Sequence, residues 1–509
     1  MAAPRGPCPT VTRVVWDHGG VTTGPAAIML ARLRRPTRPA LAPAVLGALV
    51  MVIWVAYVRP LAHFDLDVFL RAGAAVAAGR DPYPRPGSPA VYSGFAFVYP
   101  YLVALPFVPL AWLPRAGAEG LFLGLSVLAL LAGCRLAGAR RWRAYALVLV
   151  ASCTIIGLQM GTLNAWLFAG LAALWRLRDR PAAAGPLAAL LVYSKLFLLP
   201  LPLWLLLTRR YRAAAAAVAA LAALVGAGQL VSPVGLQTYS GMLDALARVE
   251  APDGLSLTGL LMNAGLGLAG ATWCARAFAL ASLAGCWLAV RPVRAGRLAA
   301  SVPDRAIPLP PAPASAAPAL AVAVPAVAGT PRAAGRLDAA ADGLLFAATV
   351  GAALLASPIV WSHYLLLLAV PLLVLEGGER TGALAVATGV SWLLVTPHLS
   401  TGPDVTVSAL VVTLLAAAPL RDATSRLLDR HRGDQPPGGA TRTSAALGVV
   451  AGLAPKAAAV GVLAVAGLQL CWSLARAHHG GDAVTGAYLA TLSVLGLLAW
   501  GARQVPRAG

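Results

Sequence analysis

The sequence predicts an all-α integral membrane protein, a polytopic bundle of about fourteen transmembrane helices. Three observations lead there. The 509 residues are 59% hydrophobic and 12% charged, with a mean hydropathy of +0.76, which leaves too little charge to cover a soluble surface. The 19 acidic residues fall between apolar runs or at their ends, as Asp65, Asp179, Glu376 and Asp434 do. Insertion demands that segregation, because an ionised side chain at the bilayer centre costs at least a few kcal/mol. Finally, arginine clusters recur between apolar runs. That pattern accounts for the net charge of +21 by the positive-inside rule and argues against a nucleic-acid partner.

Arginine position orders the helices. Residues 1–40 form a cytoplasmic tail whose Arg32, Arg34, Arg35 and Arg38 hold it inside, so that Leu41–Val58 is a signal-anchor helix running outward. The loop His63–Ser93 is then external and carries a short amphipathic helix. Residues 98–114 are broken by Pro100, Pro106, Pro109 and Pro114 and read as a re-entrant or surface helix. Helix 118–137 returns to Arg135, Arg140 and Arg141; 144–158 runs out, and 165–176 returns. Residues 183–208 read as two half-length helices meeting near Lys195. Helix 211–231 leads out to a long loop at 232–256, followed by a partial helix at 257–270 and a return over 271–290. The Pro/Ala-rich stretch 291–340 reads as a cytoplasmic linker. Helices 341–356 and 365–376 follow. A further pair precedes a second cytoplasmic linker at 421–444, and a C-terminal helix pair lies within 445–509. Both termini are inside. The Ala, Arg, Gly and Pro bias is that of a GC-rich bacterial genome, which places the chain in a bacterial plasma (inner) membrane. Five of the six cysteines sit in apolar runs without CxxC spacing, so neither a metal site nor a disulfide framework is expected.

This topology brings Asp65, Asn164, Lys195, Ser256 and His363 to the external face. Asp65 and Asp67 open the amphipathic helix, where carboxylates favour the positive end of the dipole; they suit an N-terminal turn as well as catalysis. Gly79 ends that helix and Asp81-Pro82-Tyr83 turns the chain. Gly161-Thr162-Leu163-Asn164 is a polar break that a capping turn would also explain. Lys195, between two half-helices, either snorkels or meets an anionic phosphate. Ser357-Pro358-Ile359-Val360-Trp361-Ser362-His363-Tyr364 is an interfacial anchor or a presentation of His363 to a substrate.

The ordered set resembles glycosyltransferase family 87. Asp65-Leu66-x-Val68-Phe69 with Ala72, Gly79 and Asp81-Pro82-Tyr83 is similar to that family's first external loop. Tyr99-Pro100, the Gly-x-x-Asn turn, Lys195, Ser256-Leu257 with Gly259, and Ser357-Pro-x-x-Trp361-x-His363 follow in order. The sequence departs from the family's habit at Thr162, where glutamine is usual, and at Phe69, where tyrosine is common. The resemblance implies a GT-C-like transmembrane domain over 41–420. It also implies inverting transfer of a hexose, first of all mannose, from a polyprenyl-phosphate donor to a glycolipid or polysaccharide acceptor, with no cofactor and no metal. Asp65 would be the base. Asp67, Tyr83, Asn164, Lys195 and His363 would bind substrate or donor phosphate. The rival reading is a multi-pass transporter or lipid flippase, against which stands the lack of acidic residues inside the helices for ion coupling.

Overall fold

The computed structural model describes residues 63–85, 87–93, 96–301, 331–395 and 481–505, all within the unit Val50–Gly509. Every regular element among them is helical. The expected anchor 41–58, the linker 421–444 and all of 445–480 lie outside the described residues.

The first helix, α1 (Phe64–Ala77), buries Leu66, Phe69 and Gly73, a spacing of three and four that lays one face inward. The backbone of Phe107 and Val108 passes so close to Gly73 that a Cβ there would stand 2.7 Å from a carbonyl. Phe69 stacks on Phe107 at 4.6 Å and meets Tyr99 at 4.8 Å; Tyr83 meets Phe97 and Tyr239 at 5.5 and 5.8 Å. Aromatic burial of this kind fixes α1 against the proline-rich segment. That segment is a 3₁₀ helix at Tyr101–Phe107 running into α2 (Val108–Ala111), too short to cross a bilayer, as its prolines predict.

The bundle follows with α3 (Arg115–Leu136), α4 (Trp142–Val150), α5 (Ser152–Met160), α6 (Asn164–Leu177), α7 (Pro181–Ser194), α8 (Leu201–Leu207), α9 (Tyr211–Val231), α10 (Leu236–Glu250), α11 (Leu257–Asn263), α12 (Leu268–Ser301) and α13 (Pro331–Ala356). A 3₁₀ helix at Ser362–Leu368 leads into α14 (Ala369–Glu376), then α15 (Gly382–Val395) and α16 (Gly481–Gln504). Among the described residues, five helices are long and apolar enough to cross a membrane, or six if the bent pair α4–α5 is one span. The remaining apolar helices are half-length, so the described residues do not reach the expected fourteen crossings.

Three elements differ from the sequence reading. The expected helix 144–158 bends by 59° at Ala151. No proline or glycine marks the place. The freed backbone is satisfied by α15: Ser391 Oγ accepts from Ser152 N–H at 3.1 Å, Ser152 Oγ–H donates to the Ser391 carbonyl at 2.6 Å, and Trp392 Nε1–H donates to the Val150 carbonyl. An apolar surrounding tolerates a break only when such partners are at hand. The expected loop 232–256 contains α10, which buries Tyr239, Met242 and Leu246 along one face. Helical backbone also continues from α12 to Ser301 and resumes at Pro331, so the Pro/Ala-rich linker is helical at both ends.

Candidate functional site

The N-terminus of α1 is fixed from two sides. His63 Nδ1 bonds to the Gln159 carbonyl at 2.9 Å, and Gly161 ends α5 in the left-handed region with φ +70°. A Cβ on Gly161 would stand 2.6 Å from Leu66 Cβ, so glycine is needed both for the turn and for the approach of α1. This contact orients the two acidic residues of the first turn differently. Asp67 pairs with Arg115 at 3.0 Å, and Arg115 also holds Glu119. Asp65 is largely enclosed, and its charge is felt by Lys195. Burial pushes the Asp65 carboxyl up to about 6, and the Lys195 charge pulls the other way.

Lys195 sits in extended backbone between α7 and the short 3₁₀ turn Leu196–Leu198, the junction of half-helices that the sequence predicts. Its Nζ donates to Tyr364 Oη at 2.6 Å and lies 4.2 Å from the Tyr364 ring centroid and 4.7 Å from that of Tyr99. Two aromatic faces stabilise the ammonium without neutralising it. Tyr364 stacks on Phe197 at 5.3 Å and meets His363 edge-on at 4.8 Å. His363 is 3% exposed, with its Cβ beside Gly157 of α5.

The loop before the 3₁₀ helix is clamped to the start of α11. Leu255 N–H donates to the Val360 carbonyl at 2.6 Å, and Ser256 Oγ–H donates to the Pro358 carbonyl at 2.7 Å while accepting from Gly259 N–H. Gly259 in turn packs on the Ala251 carbonyl, leaving no room for a side chain. Ser256 therefore acts as an N-cap and as a staple between distant parts of the chain.

Of the six site residues read from sequence, Asp65, Lys195 and His363 come together electrostatically. Asp67 turns to Arg115. Tyr83 donates its hydroxyl to the Tyr99 carbonyl at 3.0 Å and so supports Tyr99, one of the rings beside Lys195. Asn164 is fully buried at the start of α6. Neither amide atom of its side chain has a hydrogen-bond partner among the described residues. Glu250, at the end of α10, belongs with the group and is absent from the sequence reading. Burial and the Asp65 charge raise its carboxyl, while Lys195 lowers it. One signal for it stands in the sequence: a glutamate ending an amphipathic helix opposes the dipole and is placed there at a cost. Among the described residues no three His, Cys, Asp or Glu side chains gather as a metal site.

Among the described residues, the helices of this membrane protein thus set a carboxyl raised to about 6 under the influence of a lysine held by two aromatic rings. Residues 97–358, more than half of the chain, match the model of Glycosyltransferase family 87. The chain belongs to that family and is a membrane glycosyltransferase. No curated protein and no solved structure matches it. Lys195, Glu250, Asn164 and the Ser256 staple fall inside the matched stretch; His363 stands just beyond its end, and Asp65 lies well before its start.

Proposed function

We propose that the chain moves a hexose, mannose first among candidates, from a polyprenyl-phosphate donor to a lipid-linked or cell-envelope glycan acceptor. The reaction takes place on the external face of a bacterial plasma membrane. The observation that carries this reading is the coupling of Asp65 to Lys195, with Lys195 held by Tyr364 and no carboxylate ion-paired to it among the described residues.

The acceptor hydroxyl oxygen attacks the anomeric carbon as its proton passes to Asp65. The bond from anomeric carbon to phosphate oxygen breaks, and its electron pair stays on the phosphate. A phosphate is already a weak base, so the leaving group needs charge stabilisation more than a proton, and Lys195 supplies it. A single displacement inverts the anomeric configuration. An enclosed carboxyl with its pKa near 6 is ionised at neutral pH yet basic enough to share a proton in the transition state. His363 feels the Lys195 charge, and the unpartnered amide of Asn164, buried at the start of α6, would have hydrogen bonds to give to a sugar or phosphate.

The test is sugar transfer in membranes containing the wild type or Asp65→Asn at equal protein level, supplied with radiolabelled polyprenyl-phosphate mannose and a total lipid extract. A labelled product made by the wild type and missing with the variant is the expected result. Full activity in the variant would remove Asp65 from the mechanism. Absence of transfer from both, across several donor sugars, would sink the reading.

A further inference from the structure

We propose that Glu250 is a substrate-binding residue, its carboxylate accepting hydroxyls of the hexose while that sugar is transferred. The inference rests on the donor reading above and adds the element that recognises the sugar.

The geometry begins with α10. Tyr239, near its start, donates its hydroxyl to the Val98 carbonyl at 2.9 Å, tying the helix to the segment that carries Tyr99. Its far end runs through Ala251 into Gly254 and Leu255, which the Val360 carbonyl and the Ser256 staple hold in place. A Cβ on Gly254 would stand 3.1 Å from that same carbonyl. Glu250 is thus positioned from both directions, by contacts to Val98 on one side and to residues 358–360 on the other.

Its surroundings give it nothing to bind. The side chain is half-buried, takes part in no ion pair, and accepts no hydrogen bond among the described residues. It stands last in α10, where the helix dipole disfavours a negative charge. Yet it couples to Asp65 and to Lys195 alike. In the displacement, Asp65 faces the attacking oxygen and Lys195 the departing phosphate, and the group that bridges those two points is the sugar ring itself. The two anchors of α10, at Val98 and at residues 358–360, adjoin Tyr99 and Tyr364, the rings that flank Lys195, and this placement brings the Glu250 carboxylate to the space the sugar ring would occupy. Sugar hydroxyls are donors, an ionised carboxylate is an acceptor with two oxygens, and vicinal hydroxyls suit it.

The experiment uses the full chain in lipid nanodiscs, comparing wild type, Glu250→Gln and Glu250→Asp. The donors are polyprenyl-phosphate mannose, its glucose epimer, and the 2-, 3-, 4- and 6-deoxy derivatives of whichever sugar the wild type uses. Glu250→Gln is expected to raise the donor KM by about 10- to 100-fold with a smaller change in kcat, at an unchanged melting temperature. One or two deoxy donors should lose a similar factor with the wild type and little further with Glu250→Gln, because the same hydrogen bond is already gone. Glu250→Asp, which keeps the charge but withdraws it by one methylene, should fall between. A wild-type KM in Glu250→Gln overturns the proposal, as does retention of every deoxy penalty in that variant. Failure of both variants to fold would make Glu250 structural and would also overturn it. An active wild type with an indifferent Glu250→Gln refutes this inference alone, whereas an inactive wild type with all donors refutes the transferase reading beneath it.

Discussion

Two parts of the molecule enclose charge, and they treat it differently. Where α6, α8, α9 and α13 meet, Arg210 holds Asp342 at 2.7 Å and Asp179 at 2.8 Å, and Arg178 approaches both acids at 3.9 Å. Arg178 also lies 4.0 Å over the Trp175 ring, beside Trp204 and Phe346. Each of these four charges has an opposite one within reach, and the cluster ties four helices together. Around Lys195 the count does not close. Two carboxylates share one ammonium, and none of the three is ion-paired among the described residues. The first set is compensated by its own opposite charges, with only Arg178 Nε and Arg210 Nη1 lacking a hydrogen-bond partner among the described residues, while Asp65, Lys195 and Glu250 keep no ion-pair partner there.

That contrast can be broken by exchanging one charge on each side. Lys195→Met should cut turnover by about 10²- to 10³-fold, the scale of losing one electrostatic stabiliser, while leaving the melting temperature unchanged or higher. A fall in melting temperature with turnover preserved would make Lys195 structural. Asp342→Asn should do the reverse: a loss of about 1–3 kcal/mol in denaturation of the solubilised protein, with turnover per folded molecule unchanged. Gly161→Ala strains the left-handed turn and presses on Leu66, so about 1–3 kcal/mol of stability should be lost, and transfer should fall with the displacement of α1.

The pH profile sharpens the same comparison. Burial brings the Lys195 ammonium down to about 8, so the profile should fall above that pH. Asp65 must be ionised to accept a proton, so on the acid side kcat/KM should rise with pH through about 6. Lys195 favours the ionised form, so any activity left in Lys195→Met should show that limb moved to higher pH. A limb that stays in place would separate the two groups. The smallest effect is expected at Arg115. Its pair with Asp67 is exposed on the arginine side, so Arg115→Ala should cost less than about 1 kcal/mol and alter turnover little. A large loss of turnover there would return Asp67 to the mechanism.

The sequence carries the class of fold in its segregated charge and the site in its isolated polar residues. Lys195 is legible because a lone lysine between two apolar runs has few other reasons to be there, and the half-helices on either side follow from Pro181, Pro186 and Pro200. Asp65 and Asp67, two residues apart in one helical turn, are not separable by composition. The contact of α1 with Gly161 and the position of Arg115 decide which of them faces the cation. The bend at Ala151 is invisible in sequence, since its cause is Ser391 on a helix some 239 residues away. Glu250 is hidden for a related reason. The amphipathic pattern of α10 is present, but weak beside the continuous apolar runs that dominate the chain, and the role of its last residue emerges only when Asp65 and Lys195 are set beside it.

The bond from Lys195 to Tyr364 spans 169 residues, and between them lies the whole Pro/Ala-rich stretch. A ribosome delivering this chain to a translocon inserts Asp65, then Lys195, then Glu250, and only later the segment with His363 and Tyr364. Throughout that interval the ammonium has no phenol to orient it, and the staple at Ser256 has no carbonyl to seize. The Lys195–Tyr364 bond and the Ser256 staple are therefore late events in biogenesis, formed only after α13 and the segment that follows it have reached the membrane.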